Sequence, residues 1–164
     1  MKRAFLDKNN GKLVVEGAAV PKFYSHFSGE ADGFHTAGEK DFRLIIESED
    51  LANDLVAAGW NVKQKGEDGD ENKYLYIKVK VKFNFGKPII VKHLGNKLIT
   101  LDETTCGEID RVSIEPESID LVLSPYHWTV NGKNGITAYL EEMHFRQVQG
   151  YFHDKYAQDD EEAF

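Results

Sequence analysis

What the chain has least of is cysteine: among 164 residues, Cys106 stands alone. No disulfide can form within the chain, and a zinc site built on thiolates is excluded. Proline is scarce as well, at Pro21, Pro88, Pro116 and Pro125 only. With no Pro- or Ser-rich stretch and no internal repeat, nothing marks a linker between two domains. No apolar run is long enough to cross a bilayer. The opening Met1-Lys2-Arg3-Ala4-Phe5-Leu6 meets Asp7, Lys8, Asn9 and Asn10 too early for a secretion signal. A cytoplasmic protein is expected. Catalytic signatures are missing too. There is no GxxxxGK[ST], GxGxxG or GxSxG, and none of the six histidines falls in an HxxxH or HExxH pair. Neither a catalytic residue, nor a metal ligand set, nor a cofactor is expected, and Cys106 reads as buried and inert.

What the chain does have is charge, unevenly placed. Its net charge is −8, which taken alone argues against a nucleic-acid partner. Yet no Asp or Glu occurs between Asn72 and Leu101, a stretch that holds Lys73, Lys78, Lys80, Lys82, Lys87, Lys92 and Lys97. An acidic protein with one cationic stripe can hold a polyanion there and repel it elsewhere.

Strand signals dominate the pattern. Extended segments are expected over residues 20–27, 42–47, 74–85, 88–93, 97–101, 118–130 and 136–148. Asn131-Gly132 supplies the last hairpin, since Asn and Gly tolerate the positive φ of a tight turn. Ser48 caps a short helix that buries Leu51, Leu55 and Val56 and stops at Gly59. A second short helix is expected between Leu101 and Arg111, capped by Asp102 or Thr104. The fold class is mainly β: a five- to six-stranded Greek-key barrel of the OB type with one or two short helices. A β-sandwich fits the same pattern nearly as well. Residues 1–148 would form the domain and 149–164 a flexible acidic tail.

The segment from Tyr74 splits by alternation. Leu75, Ile77, Val79, Val81, Phe83 and Phe85 make a core face. Tyr74, Tyr76, Lys78, Lys80 and Lys82 make the other. Rings that stack on unpaired bases, beside ammonium groups that follow phosphates, suit a single strand of any sequence. A half-exposed strand can carry the same residues for β-propensity and solubility alone. Tyr126 and Trp128 share a face of the last hairpin with Tyr139, and Lys133 sits at its tip. Phe34 and His35 lie in the loop before the 42–47 strand, and Trp60 reads as a packing residue. The chain closes on Asp159, Asp160, Glu161, Glu162, Ala163 and Phe164. A terminal ring behind four acids suits a hydrophobic pocket with a basic rim, although acidic ends also serve solubility.

Three blocks resemble the single-stranded DNA-binding proteins of tailed bacteriophages. The first runs from Phe27-Ser28-Gly29 through Gly38 and Phe42 to Ala58-Gly59-Trp60-Asn61-Val62-Lys63. The second is Tyr74-Leu75-Tyr76-Ile77-Lys78-Val79. The third runs from Ile119-Asp120-Leu121 to Ser124-Pro125-Tyr126-His127-Trp128, then Val130-Asn131-Gly132-Lys133 and Gly135 to Leu140. The tail is similar to the acidic, Phe-ended C-terminus of bacterial and T7-type phage single-stranded DNA-binding proteins. There the tip recruits polymerase, helicase or primase. The resemblance implies an OB fold, no catalysis, and work in phage DNA replication or recombination in the cytoplasm of a bacterial host. The partners implied are single-stranded DNA, replication proteins and further copies of the chain, with no membrane. His35 and His127 depart from the pattern, which has asparagine at both. A phage structural or assembly protein with a β-sandwich is the alternative.

Overall fold

The computed structural model describes residues 1–20, 22–84, 86–150 and 152. Among these residues nine strands make one mixed sheet: β1 (Arg3–Leu6), β2 (Leu13–Ala18), β3 (Asp41–Ile46), β4 (Lys63–Lys65), β5 (Tyr74–Lys80), β6 (Ile89–Leu94), β7 (Lys97–Leu101), β8 (Ile119–Val130) and β9 (Lys133–Arg146). The main path runs β1-β2-β8-β9-β5-β3. The short β4 adds to β5, and the β6–β7 hairpin hangs from β9. One helix, α1 (Glu49–Ala57), follows β3.

Strand β9 holds the sheet together. It pairs antiparallel with β8, parallel with β5 at Val79↔Ala138 and Lys80↔Tyr139, and parallel with β6 from Ile89↔Glu142 to His93↔Arg146. A register shift between Val122 and Leu123 of β8 lies opposite Glu141 of β9. It keeps Leu140 and then Met143 and Phe145 turned inward. The mainly β class is as expected, but among the described residues no strand ladder closes the sheet. Among the described residues, β1 and β3 do not pair at the two ends of the path. Helix α1 packs on both of them, and the Ile45 N–H reaches the Ala19 carbonyl at 3.3 Å.

The core follows from alternation. Leu13 and Val15 of β2, Phe42 and Leu44 of β3, Ile77 and Val79 of β5, Leu121 and Leu123 of β8 and Ala138 of β9 are all buried. Each large one contributes about 1.5–3 kcal/mol. Ser48 caps α1 by accepting the Leu51 N–H at 3.2 Å, and Gly59 ends it at φ +96°. Leu51 and Leu55 are buried as expected, with Ala52 beside them, whereas Val56 is exposed. Trp60 is buried and bridges Ile136.

Several boundaries differ from expectation. Among the described residues of 20–27 there is no strand. Lys22–Tyr24 is a 3₁₀ turn, and only His26 pairs, in a bridge to Asp41. The carboxylate of Asp110 shapes this segment by accepting the N–H groups of Phe27 and Ser28 and the Ser25 hydroxyl. The β1–β2 hairpin was not foreseen. Strand β5 ends at Lys80, so Lys82 lies in the following loop, and Phe85 falls outside the described residues. The second helix is a 3₁₀ turn, Cys106–Asp110, preceded by an Asp102 carboxylate that accepts the N–H groups of Thr104 and Thr105. Among the described residues nine strands stand where five or six were expected: β1 and β4 are too short to show in a periodicity reading, and β2, though six residues long, went unforeseen with β1.

Candidate nucleic-acid interface

The outward face of β5 carries Tyr74, Tyr76, Lys78 and Lys80, and its neighbours extend that face sideways. Across β3, Arg43 stands opposite Lys78 and Asp41 opposite Lys80. Across β4, Lys63 stands opposite Tyr76 and Lys65 opposite Tyr74. Across β9, Tyr139 stands beside Lys80, and Ser124 of β8 stands beside Tyr139. The parallel step Lys80↔Tyr139 therefore joins two clusters that lie far apart in the sequence: the lysine–tyrosine face of β5 and the aromatic face of the β8–β9 hairpin.

On the hairpin side, the rings of Tyr126 and Tyr139 meet edge to face at 5.7 Å. Tyr126 is about half exposed. Trp128 lies flat over Gly135, where a Cβ would fall 2.3 Å from the indole. The tip turn has positive φ at Asn131 and Gly132, as an Asn-Gly turn requires. It leaves Lys133 exposed at the start of β9. A cleft of about 410 Å³ opens beside these rings. It is lined by Lys82, Lys87, Pro88, Ser124, Tyr126, Tyr139 and Glu141, among others.

On the β5 side, Tyr74 and Tyr76 lie 5.8 Å apart, ring to ring. The Arg43 guanidinium is sandwiched between Tyr24 at 3.8 Å and Tyr76 at 4.4 Å. Tyr76 thus offers one face fewer than a free ring, and Arg43 brings a cation that sequence reasoning missed. Its signal was present: Phe42 and Leu44 point inward, so Arg43 points out. Phe23 and Phe34 are almost fully exposed. The lysines sort by partner. Lys73 pairs with Asp68 at 3.1 Å, and Lys92 with Glu108 at 2.7 Å. Lys78 lies 3.7 Å from Asp41. Lys80, Lys82, Lys87, Lys97 and Lys133 form no ion pair among the described residues.

Next to Lys78 sits a polar network that the sequence pattern did not announce. His35 Nε2 is 3.0 Å from Asp41 Oδ1, and its Nδ1 is 2.9 Å from Asp32 Oδ1. His26 stacks on His35, with centroids 3.8 Å apart. Burial of the His35 ring works to lower its pKa, but the bonds and charges of Asp32 and Asp41 outweigh it and raise it. The Phe34 N–H, then the His35 ring, hold Asp32 below the usual carboxylate range. Cys106 is buried, its thiol pushed up to about 11 chiefly by burial. Asp159, Asp160, Glu161, Glu162 and Phe164 fall outside the described residues.

Lysines without an ion-pair partner thus lie beside half-exposed and exposed rings on one sheet face, an arrangement suited to a nucleic-acid strand. A family model, "Putative phage ssDNA-binding domain", matches residues 5–163. The chain belongs to that family and is a phage single-stranded DNA-binding protein. Among solved structures it is similar to the single-stranded DNA-binding protein of bacteriophage Enc34. A C-terminally truncated form of that protein is 12% identical, with a TM-score of 0.55 and 92% of each chain covered. The same protein in complex with single-stranded DNA is 12% identical, with a TM-score of 0.54, covering 92% of this chain and 93% of the other. At that identity the likeness is one of fold. No curated protein matches in sequence. Among the described residues, no helix is long and apolar enough to cross a membrane.

Proposed function

We propose that the strand lies across the seam between β5 and β9, bound without sequence preference and without catalysis. Bases stack on Tyr139, Tyr126 and Trp128, with Tyr74 and Tyr76 extending the platform. Lys78, Lys80, Lys82 and Lys133 neutralise phosphates, and the cleft adds Lys87. The observation that carries this reading is the register Lys80↔Tyr139, which sets unpaired cations directly beside accessible rings. Fluorescence anisotropy of a labelled oligo-dT and a matched duplex, at low and moderate salt, tests it. Tight binding to the single strand only, ruined by Lys80→Glu with Lys82→Glu, is expected. Equal binding of single strand and duplex would defeat the stacking mechanism.

We also propose that the acidic tail, Asp159 to Phe164, recruits replication proteins such as polymerase, helicase or primase. It competes with DNA for the basic face meanwhile. Four acids ahead of a terminal ring support this reading. Deleting the six residues should tighten DNA binding and abolish capture of the partner, whereas unchanged affinity for both would sink the idea. Residues 1–148 then act as the binding domain and 149–164 as its tail, in the cytoplasm of the bacterial host. Self-association of the chain is compatible with this reading and is checked by sedimentation with and without DNA.

A further inference from the structure

With its imidazoles neutral, the His26–Asp32–His35 cluster brings together more acceptors than hydrogens. Nε2 of His26 is 2.8 Å from the Glu30 carbonyl oxygen, which can only accept. That nitrogen must carry its hydrogen. Nε2 of His35 faces the Asp41 carboxylate at 3.0 Å, again an acceptor. With both Nε2 atoms donating, both neutral rings turn a bare Nδ1 lone pair toward one carboxylate. His35 Nδ1 is 2.9 Å and His26 Nδ1 is 3.6 Å from oxygens of Asp32. Three potential ligand atoms thus converge, all within 4.8 Å of one another, and a metal ion can take the place of the proton that otherwise bridges His35 and Asp32.

We propose that His26, Asp32 and His35 bind a borderline divalent transition-metal ion, of which Zn²⁺ and Co²⁺ are probes, through the two Nδ1 atoms and the Asp32 carboxylate. Two imidazoles and a carboxylate are a preferred donor set for such ions. Tetrahedral zinc with ligands at about 2.0–2.1 Å separates its donors by roughly 3.3 Å, a value bracketed by the two Nδ1–oxygen distances above. A metal-bound histidine commonly gives its other ring N–H to a carbonyl or carboxylate. Glu30 and Asp41 already hold those places. Backbone anchors fix the ligands: His26 exchanges two backbone bonds with Asp41, and the Asp32 carboxylate accepts the Phe34 and His35 N–H groups. Both histidine side chains are largely buried while Asp32 is partly exposed. A fourth position is thereby open to water or to an oxygen of a phosphate. The rings now lie nearly parallel, 8° apart. Ligation tilts them so that both lone pairs meet one point.

The ion would tie His26, Asp32 and His35 together beside Asp41 of β3, itself 3.7 Å from Lys78. It adds positive charge to the binding face, an effect that rests on the DNA path proposed above. The metal site itself does not.

The full chain, stripped with a chelator and titrated with Co²⁺ near neutral pH, should take one equivalent and develop the visible absorption of a tetrahedral ion. His26→Gln or His35→Gln should abolish that band, and Asp41→Asn should weaken affinity by about 10- to 100-fold. Should a variant fail to fold, nitrogen NMR of the unaltered chain gives the answer. Zn²⁺ should move the Nδ1 resonances of His26 and His35 while leaving those of His93, His127 and His144 in place. Absence of the band, its survival in both folded variants, or Nδ1 resonances unmoved by Zn²⁺ would overturn the proposal. If the metal binds and DNA affinity stays the same with and without it, only the DNA path has failed.

Discussion

Gly135 leaves little room for a Cβ, which would lie 2.3 Å from the Trp128 ring. Its backbone does not need positive φ, yet any Cβ there would strike the Trp128 indole. Gly135→Ala should therefore lift the ring from the sheet with little cost to folding. Single-strand affinity should fall about as far as in Trp128→Ala, roughly 5- to 150-fold for a stacking residue, and tryptophan emission should shift. Unchanged anisotropy titrations for both variants would remove Trp128 from the path. His93 gives a pH dependence of stability. Burial first, then the nearby charge of His144, lowers its pKa from 6.5, with Arg146 acting in the same sense and Asp120 against it. The folded chain takes up that proton less readily than the unfolded one, so stability rises with pH. Its contribution is full above about 6.5 and is lost as pH falls from there toward the lowered folded value. Urea midpoints at about pH 5 and about pH 8 should differ less in His93→Gln than in the parent chain. Cys106 should resist alkylation until the chain unfolds, which mass measurement with iodoacetamide checks; modification under native conditions would contradict its burial.

At the level of the element, how much could be read depended on how local each signal was. The 119–130 and 133–146 strands, the Asn131-Gly132 turn and the Ser48 cap are written within a few residues each, and the structure has them. Residues 20–27 misled because aromatic content favours a strand only where a sheet is there to receive it. Here Asp110, far along the chain, draws the backbone into a turn instead. The split of β5 into core and outer faces was legible from alternation. Its junction with β9 was not, because a parallel pairing of residues 59 positions apart leaves no trace in either segment. The His26–Asp32–His35 cluster escaped for a related reason. Its members come from a turn and a loop brought together by β3, so no motif spacing announces it. Asp110→Ala, which orphans the N–H groups of Phe27 and Ser28, should cost about 1–3 kcal/mol. Chemical denaturation measures it, and a change below a few tenths would show that water replaces the carboxylate.

For the whole molecule, the charge map explains how a chain of net charge −8 can hold a polyanion. Lys80, Lys82 and Lys87 gather beside Tyr126 and Tyr139, while Glu67, Asp68, Asp70 and Glu71 lie in the exposed turn between β4 and β5. Affinity for oligo-dT should fall with salt by about 0.7 in log–log slope for each phosphate engaged. Lys80→Glu with Lys82→Glu should flatten that slope, and an unaltered slope would place the phosphates elsewhere. One feature of the fold also bears on how the chain is made. The strand that joins β8, β5 and β6 is β9, the last of the nine. A ribosome delivers the chain from its N-terminus, so Leu44, Ile77 and Val79 emerge long before Ala138 and Leu140 arrive to cover them. The nascent chain holds an uncovered apolar surface until β9 emerges, and its sheet can only be assembled after that. A message broken before the β9 codons would yield a product for the host's chaperones and proteases rather than a smaller working domain.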